Sequence, residues 1–149
     1  MDNFIGNIDA KVDAKGRVFV PADFRKILQL KEDKRLILRK DIYEDCLVLY
    51  PAPVWETELA TLRSKLQKYG KRARQIYRKF IQDSELLELD ASGRILIPKR
   101  YLQLAGIGAD VRFMGVDETI EIWNPERLNR PEMDDTDFEE FMNQLDGDE

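Results

Sequence analysis

The chain has 149 residues, 43% of them hydrophobic and 9% aromatic, enough apolar material for a real core in one domain or two small lobes. It has no histidine and one cysteine, Cys46. That excludes imidazole acid–base chemistry, His-based zinc sites, Ser-His-Asp and Cys-His nucleophiles, and any disulfide within the chain. The net charge of −5 is unevenly spread: residues 131–149 carry nine acids and no Lys or Arg, which leaves 24 bases against 20 of the 29 acids, or +4, elsewhere.

No apolar run approaches the roughly 18 residues of a membrane span, and "MDNFIGNIDA" lacks the basic-then-apolar order of a signal peptide. The expectation is a cytoplasmic protein with no membrane partner. There is no GxxxxGK[ST] phosphate loop. Neither an enzyme, a cofactor nor a small-molecule substrate is expected.

In chain order, "NIDAKVD" alternates Ile8, Ala10 and Val12, the period of a half-buried strand. "DAKG" then turns the chain: the Asp13 carboxylate can accept turn N–H groups, and Gly16 takes the positive φ that tight turns often need. "RVFVP" is a return strand that stops at Pro21, and "ADFRKILQL" places Phe24, Ile27 and Leu28 on one helical face. "RLILRK" and "CLVLYP" read as two more strands, with Cys46 as a half-buried structural thiol. Trp55, Leu59, Leu62, Leu66 and Tyr69, then Ala73, Ile76, Tyr77 and Phe80, form two helical stripes separated at Gly70. They predict an amphipathic helical hairpin whose polar faces are strongly basic.

The first pattern then recurs at an offset of 77 residues. Asp13, Ala14, Gly16, Arg17 and Pro21 answer to Asp90, Ala91, Gly93, Arg94 and Pro98, and "RILIP" replaces "RVFVP". "PKRYLQLAG" is the second short helix with Gly106 at its end, and "DVRFMG" and "TIEIWN" are the closing strands. Each copy therefore reads strand–turn–strand–helix–strand–strand. Tyr50 and Trp123 each end a strand near a proline and read as core or interface aromatics. The fold class is α+β and β-rich, with lobe 1 at 7–53, connecting helices at 54–82, lobe 2 at 83–126 and an acidic tail at 127–149.

In such a hairpin Arg17 starts the return strand, Lys15 sits on the tip and Lys11 on the incoming strand. Asp13 can hold the guanidinium in one orientation, and Arg reads phosphates and guanine edges through a planar fork. Arg94 with Asp90 repeats the arrangement, but Ser92 stands where copy one has Lys15. Two basic hairpin tips could enter a major groove. An Asp–Arg pair can equally serve only to brace a turn, and the residues alone leave both readings open.

"MDNFIGNIDAKVDAKGRVFVPADFRKIL" resembles the opening of MraZ, a family of bacterial transcriptional regulators, through Phe4, Gly6, Asp13, Lys15, Gly16, Arg17, Pro21 and Arg25. "LELDASGRILIPKRYLQLAGI" is similar to the family's second motif, and the likeness covers about residues 1–126. The resemblance implies two SpoVT/AbrB-like swapped-hairpin lobes in one chain, interlocked as a pseudo-two-fold β-barrel. It implies a homo-oligomeric ring that binds double-stranded DNA with repeated short sites, associates with the nucleoid and represses the division and cell-wall gene cluster. It places the DNA contacts on the motif residues Asp13, Lys15 and Arg17 of the first copy and Asp90 and Arg94 of the second. The hairpin reading itself adds Lys11 as a phosphate contact beside Lys15, with Gly16 and Gly93 as the turn glycines that, with Asp13 and Asp90, orient Arg17 and Arg94. The family's arginine three residues after the second proline's lysine is replaced here: Tyr101 and Leu102 occupy those places, and Arg100 falls on another helical face. The alternative is an antitoxin-type interaction protein whose acidic tail, striped with Phe138, Phe141, Met142 and Leu145, binds a protein partner.

Overall fold

The computed structural model describes residues 3–129 and 132–147, so positions 130–131 and 148–149 of the expected tail lie outside the described residues. The first copy consists of β1 (Phe4–Lys11), β2 (Arg17–Phe19), α1 (Ala22–Gln29), β3 (Leu36–Lys40) and β4 (Cys46–Pro51). The helical hairpin follows as α2 (Ala52–Leu66), a 3-10 turn (Gln67–Tyr69) and α3 (Lys71–Gln82). The second copy has β5 (Ser84–Leu87), β6 (Arg94–Leu96), α4 (Lys99–Leu104), β7 (Asp110–Asp117) and β8 (Thr119–Trp123), and α5 (Pro125–Leu128) and α6 (Asp135–Gly147) end the described chain.

The strands leaving each turn part company at once. The tip of the first turn closes locally, with the Asp13 N–H donating to Arg17 O at 2.9 Å and the Gly16 N–H to Asp13 O at 3.0 Å. Beyond it β1 pairs antiparallel with β7, from Phe4↔Asp117 to Lys11↔Asp110, and not with β2. In the same way β5 pairs with β3 of the first copy. A simple hairpin would waste most of the eight-residue β1 on the three-residue β2; the eight-residue β7 gives it a full ladder. The result is a six-stranded antiparallel sheet in the order β1-β7-β8-β4-β3-β5, with β2 and β6 forming a separate two-stranded ribbon. The order reads the same from either end when the copies are exchanged, about an axis between β4 and β8.

One core lies between the sheet, the ribbon and the short helices. Val18 and Val20, Ile95 and Ile97, Phe24 and Tyr101 all point into it against Leu38, Leu49, Phe113 and Ile122. Pro21 and Pro98 stand before α1 and α4 with φ of −50° and −57°, so the chain turns from strand to helix without losing a needed donor. The outer face of β3 and β4 is also apolar because α2 and α3 cover it. Ile37, Ala52 and Trp55 form a second cluster with Tyr50, Leu59 and Phe80, and Trp55 stacks on Phe80 at 5.6 Å. Arg39, only 6% exposed, lies 3.9 Å from the Phe80 ring and donates to the carbonyls of Lys40 and Phe80. Gly70, at φ +56°, makes the break between the two helices. Among the described residues no helix is long and apolar enough to cross a membrane.

Because β1, β2 and β4 find their ladder partners β7, β6 and β8 in the second copy, residues 1–82 alone should not fold as a monomer. The fragment is expected to show no cooperative thermal transition by circular dichroism unless it associates with a second half.

Candidate nucleic-acid interface

The site begins with one carboxylate. Asp13 Oδ1 accepts the backbone N–H groups of Lys15 and Arg17, both at 2.9 Å, and Oδ2 accepts Arg17 Nε at 2.7 Å. The backbone N–H of Arg17, followed by the guanidinium and the Lys15 N–H, draws the Asp13 pKa down to about 2, so it is ionised at neutral pH. Asp90 repeats the geometry on Ser92, Arg94 N and Arg94 Nε, each at 2.9 Å, and its pKa is lowered for the same reason. In both pairs the acid takes only the Nε edge; no described hydrogen bond engages Nη1 or Nη2 of Arg17 or Arg94. The fork is oriented and its outer edge is left facing away from the acid.

The two turns are tied to each other. Gly16 O accepts the Ile97 N–H at 2.8 Å, and Gly93 O accepts the Val20 N–H at 3.1 Å. Both glycines sit at positive φ, +94° and +88°. Between these bonds the ribbon pairs Arg17↔Leu96, Val18↔Ile95 and Phe19↔Arg94. Val18 and Ile95 face the core at 1% exposure, so alternation puts Arg17, Phe19, Arg94 and Leu96 together on the outer face. Phe19 and Leu96 are 53% and 52% exposed, and the Arg94 guanidinium lies 5.7 Å from the Phe19 ring centroid. The two arginines are diagonal neighbours, about 7–8 Å apart by strand spacing. The two separate tips expected from the repeat are thus one continuous surface: two braced guanidinium groups between two exposed apolar side chains.

The other expected residues fall around it. Lys15 is exposed on the first turn, where Ser92 stands on the second. Lys11, at the end of β1, forms a 2.6 Å ion pair with Asp110 of β7, which raises its pKa. Three members of the surface were not among the candidates. Phe19 and Leu96 lie in the return strands, where the two-residue period already sets them apart from Val18 and Ile95. Arg25 of α1 lies over the turn of the other copy: a Cβ on Gly93 would stand 2.5 Å from its Cδ and 2.9 Å from its Nη1. The equivalent Leu102 packs against the core instead. Arg100 does not replace the missing arginine, because it stacks on Tyr101 at 4.4 Å and donates to the Tyr101 hydroxyl at 2.7 Å.

Tyr50 and Trp123 are internal, Tyr50 against Trp55 at 5.2 Å and Trp123 against Cys46 and Val48. Cys46 is fully buried rather than half-buried, and burial pushes its thiol pKa up. Among the described residues no group of three or more His, Cys, Asp or Glu side chains could hold a metal ion.

A shallow cationic ribbon of this kind suits an extended anionic partner more than a small molecule enclosed in a pocket. The family model described as "MraZ protein, putative antitoxin-like" matches the chain twice, over residues 4–79 and 80–145. The chain belongs to the MraZ family. The second match runs past residue 126, where the likeness read from the sequence stopped, and into the acidic tail. Among its relatives, the "Transcriptional regulator MraZ" of Bacteroides thetaiotaomicron is 52% identical over 147 residues, covering 96% of this chain and 94% of that one. The protein of the same name from Bacteroides fragilis is 55% identical over 130 residues, 87% and 82% of the two chains. That of Phocaeicola vulgatus is 52% identical over 144 residues, 97% and 94% of the two.

Two outcomes are expected. A Cβ on Gly16 would meet Ile97 O at 2.4 Å, a backbone atom, whereas at Gly93 it meets the flexible Arg25 side chain. Gly16→Ala should therefore cost about 3 kcal/mol in urea unfolding and Gly93→Ala about 1–2 kcal/mol. Asp13 has its pKa depressed by folding from 3.8 to about 2, so its stabilising contribution is complete above the ordinary carboxylate pKa and is lost as pH falls through that window. Asp13→Asn should flatten the fall in thermal stability across that interval.

Proposed function

We propose that this protein is a sequence-specific, double-stranded-DNA-binding transcriptional regulator that acts by occupancy, with the β2–β6 ribbon as its reading surface. The observation that carries the reading is the pair of Asp-braced arginines, Arg17 and Arg94, on one exposed face of a two-stranded ribbon. Two strands about 5 Å apart fit a major groove about 12 Å wide, and a guanidinium fork matches the N7 and O6 edge of guanine or a phosphate. Asp13 and Asp90 orient the forks, Gly16 and Gly93 permit the turns, and Lys15 adds a phosphate contact. Lys11 already has Asp110 as a partner, which makes it the weakest of the four cationic candidates. The names carried by the MraZ relatives support the same class of activity.

The exchange of outer strands between the copies supports two SpoVT/AbrB-like swapped-hairpin lobes closed into a pseudo-two-fold barrel, with lobes at 7–53 and 83–126, connecting helices at 54–82 and a tail at 127–149. A single ribbon with few cations binds DNA weakly. A homo-oligomeric ring that presents identical ribbons to successive short repeats turns the later contacts into intramolecular ones, and avidity supplies the affinity. Repression of the division and cell-wall gene cluster from a cytoplasmic, nucleoid-associated pool follows from the family resemblance.

Arg17→Ala and Arg94→Ala should each weaken binding to a selected tandem-repeat duplex by at least tenfold in fluorescence anisotropy, with circular dichroism and sedimentation unchanged. Arg17→Lys should recover little of it, because an ammonium group cannot form the two-pronged contact. Wild-type affinity in both alanine variants would reject the ribbon as the reading surface.

A further inference from the structure

The helical hairpin and the tail helix are complementary in charge, and each presents an apolar strip. From Arg63 to Gln82 the chain carries eight Lys or Arg and no acid, while residues 131–149 carry nine acids and no base. Between α2 and α3 lies a groove of about 300 Å³ lined by Leu66, Ala73 and Tyr77, with Arg63 and Arg74 at its edges. Arg63 Nη1 donates to the Tyr77 hydroxyl at 3.0 Å, which holds one cation at the rim. Helix α6 is capped by Asp134 and offers Phe138, Phe141, Met142 and Leu145 at i, i+3, i+4 and i+7, all between 43% and 57% exposed. No residue of α6 is buried, so its own chain does not cover this stripe among the described residues.

A basic-rimmed apolar groove calls for an acidic helix with an apolar stripe, and this chain carries one in α6 that its own described residues leave uncovered. We infer that α6 of one chain docks its apolar stripe into the α2–α3 groove of a second copy, with its acids against Arg63, Arg74 and the basic face of α3. The contact is head-to-tail, since one copy contributes its tail and the other its hairpin, and such contacts close into rings or extend into filaments. It deepens the oligomer part of the proposed function and does not depend on DNA binding. It also predicts an assembly weakened by salt, because much of the attraction is between exposed opposite charges.

Full-length Gln67→Cys, at the groove, and Gln144→Cys, on the flank of α6, are mixed and treated with a bifunctional maleimide; Cys46 is buried and stays silent. The expected result is a two-chain band in the mixture at least tenfold above that of either variant alone. It should be lost when Arg74→Glu is added to the first or Phe141→Asp to the second, with circular dichroism unchanged. No band, a band as strong in Gln67→Cys alone, or a band that survives both the charge and the stripe variants would overturn it. Sedimentation separates this from the ring itself: a ring-sized species without the cross-link removes this contact and leaves the ring reading standing. A monomer at all concentrations removes both.

Discussion

The structure depends on the four-residue turn that cannot keep its own strands together. Asp-x-x-Gly-Arg closes a tight tip through two backbone bonds, but the strand on its far side is only three residues long. An eight-residue β1 needs a partner of its own length to satisfy its backbone groups, and β7 in the other copy supplies it. Once β1 is committed there, β2 is free to meet β6, and the two copies become inseparable. The sheet, the main core and the site all follow from that exchange.

The ribbon shows how core packing and a charged outer face share three-residue strands without conflict. Its inner face, Val18 and Ile95, anchors the core; its outer face exposes Phe19 and Leu96 and leaves Arg17 and Arg94 half-buried beside their acids. Phe19 and Leu96 stand directly across the ribbon from Arg94 and Arg17, so each guanidinium has an exposed apolar side chain as its cross-strand neighbour. Each arginine is held by a carboxylate from its own turn, so side-chain freedom is removed before any ligand arrives. The brace uses Nε and leaves the terminal nitrogens without a described hydrogen bond.

Pseudo-symmetry stops short of identity, and the differences gather at the site. The end at the first turn has Lys15, Arg17 and Leu96; the end at the second has Ser92, Arg94, Phe19 and, laid over Gly93, Arg25, whose counterpart Leu102 packs on the core. Arg25 crosses from the first copy onto the second copy's turn, so the more basic motif of the pair lends charge to the poorer one. A surface built from two unequal halves carries a direction, which a strict two-fold dimer would lack.

Much of this was written in the residues themselves. Periodicity placed the strands, the two proline stops and the break at Gly70, because those signals are local: side-chain alternation, a fixed φ, a missing donor. The Asp–Arg brace was legible for the same reason, since all its partners lie within five residues. What the sequence could not state was which strand meets which. β1 fits β2 and β7 equally well by composition, and only the completed ladder and the shared core choose between them. Arg25 over Gly93 and the merging of two turns into one ribbon are consequences of that choice, separated by dozens of residues and visible only in three dimensions.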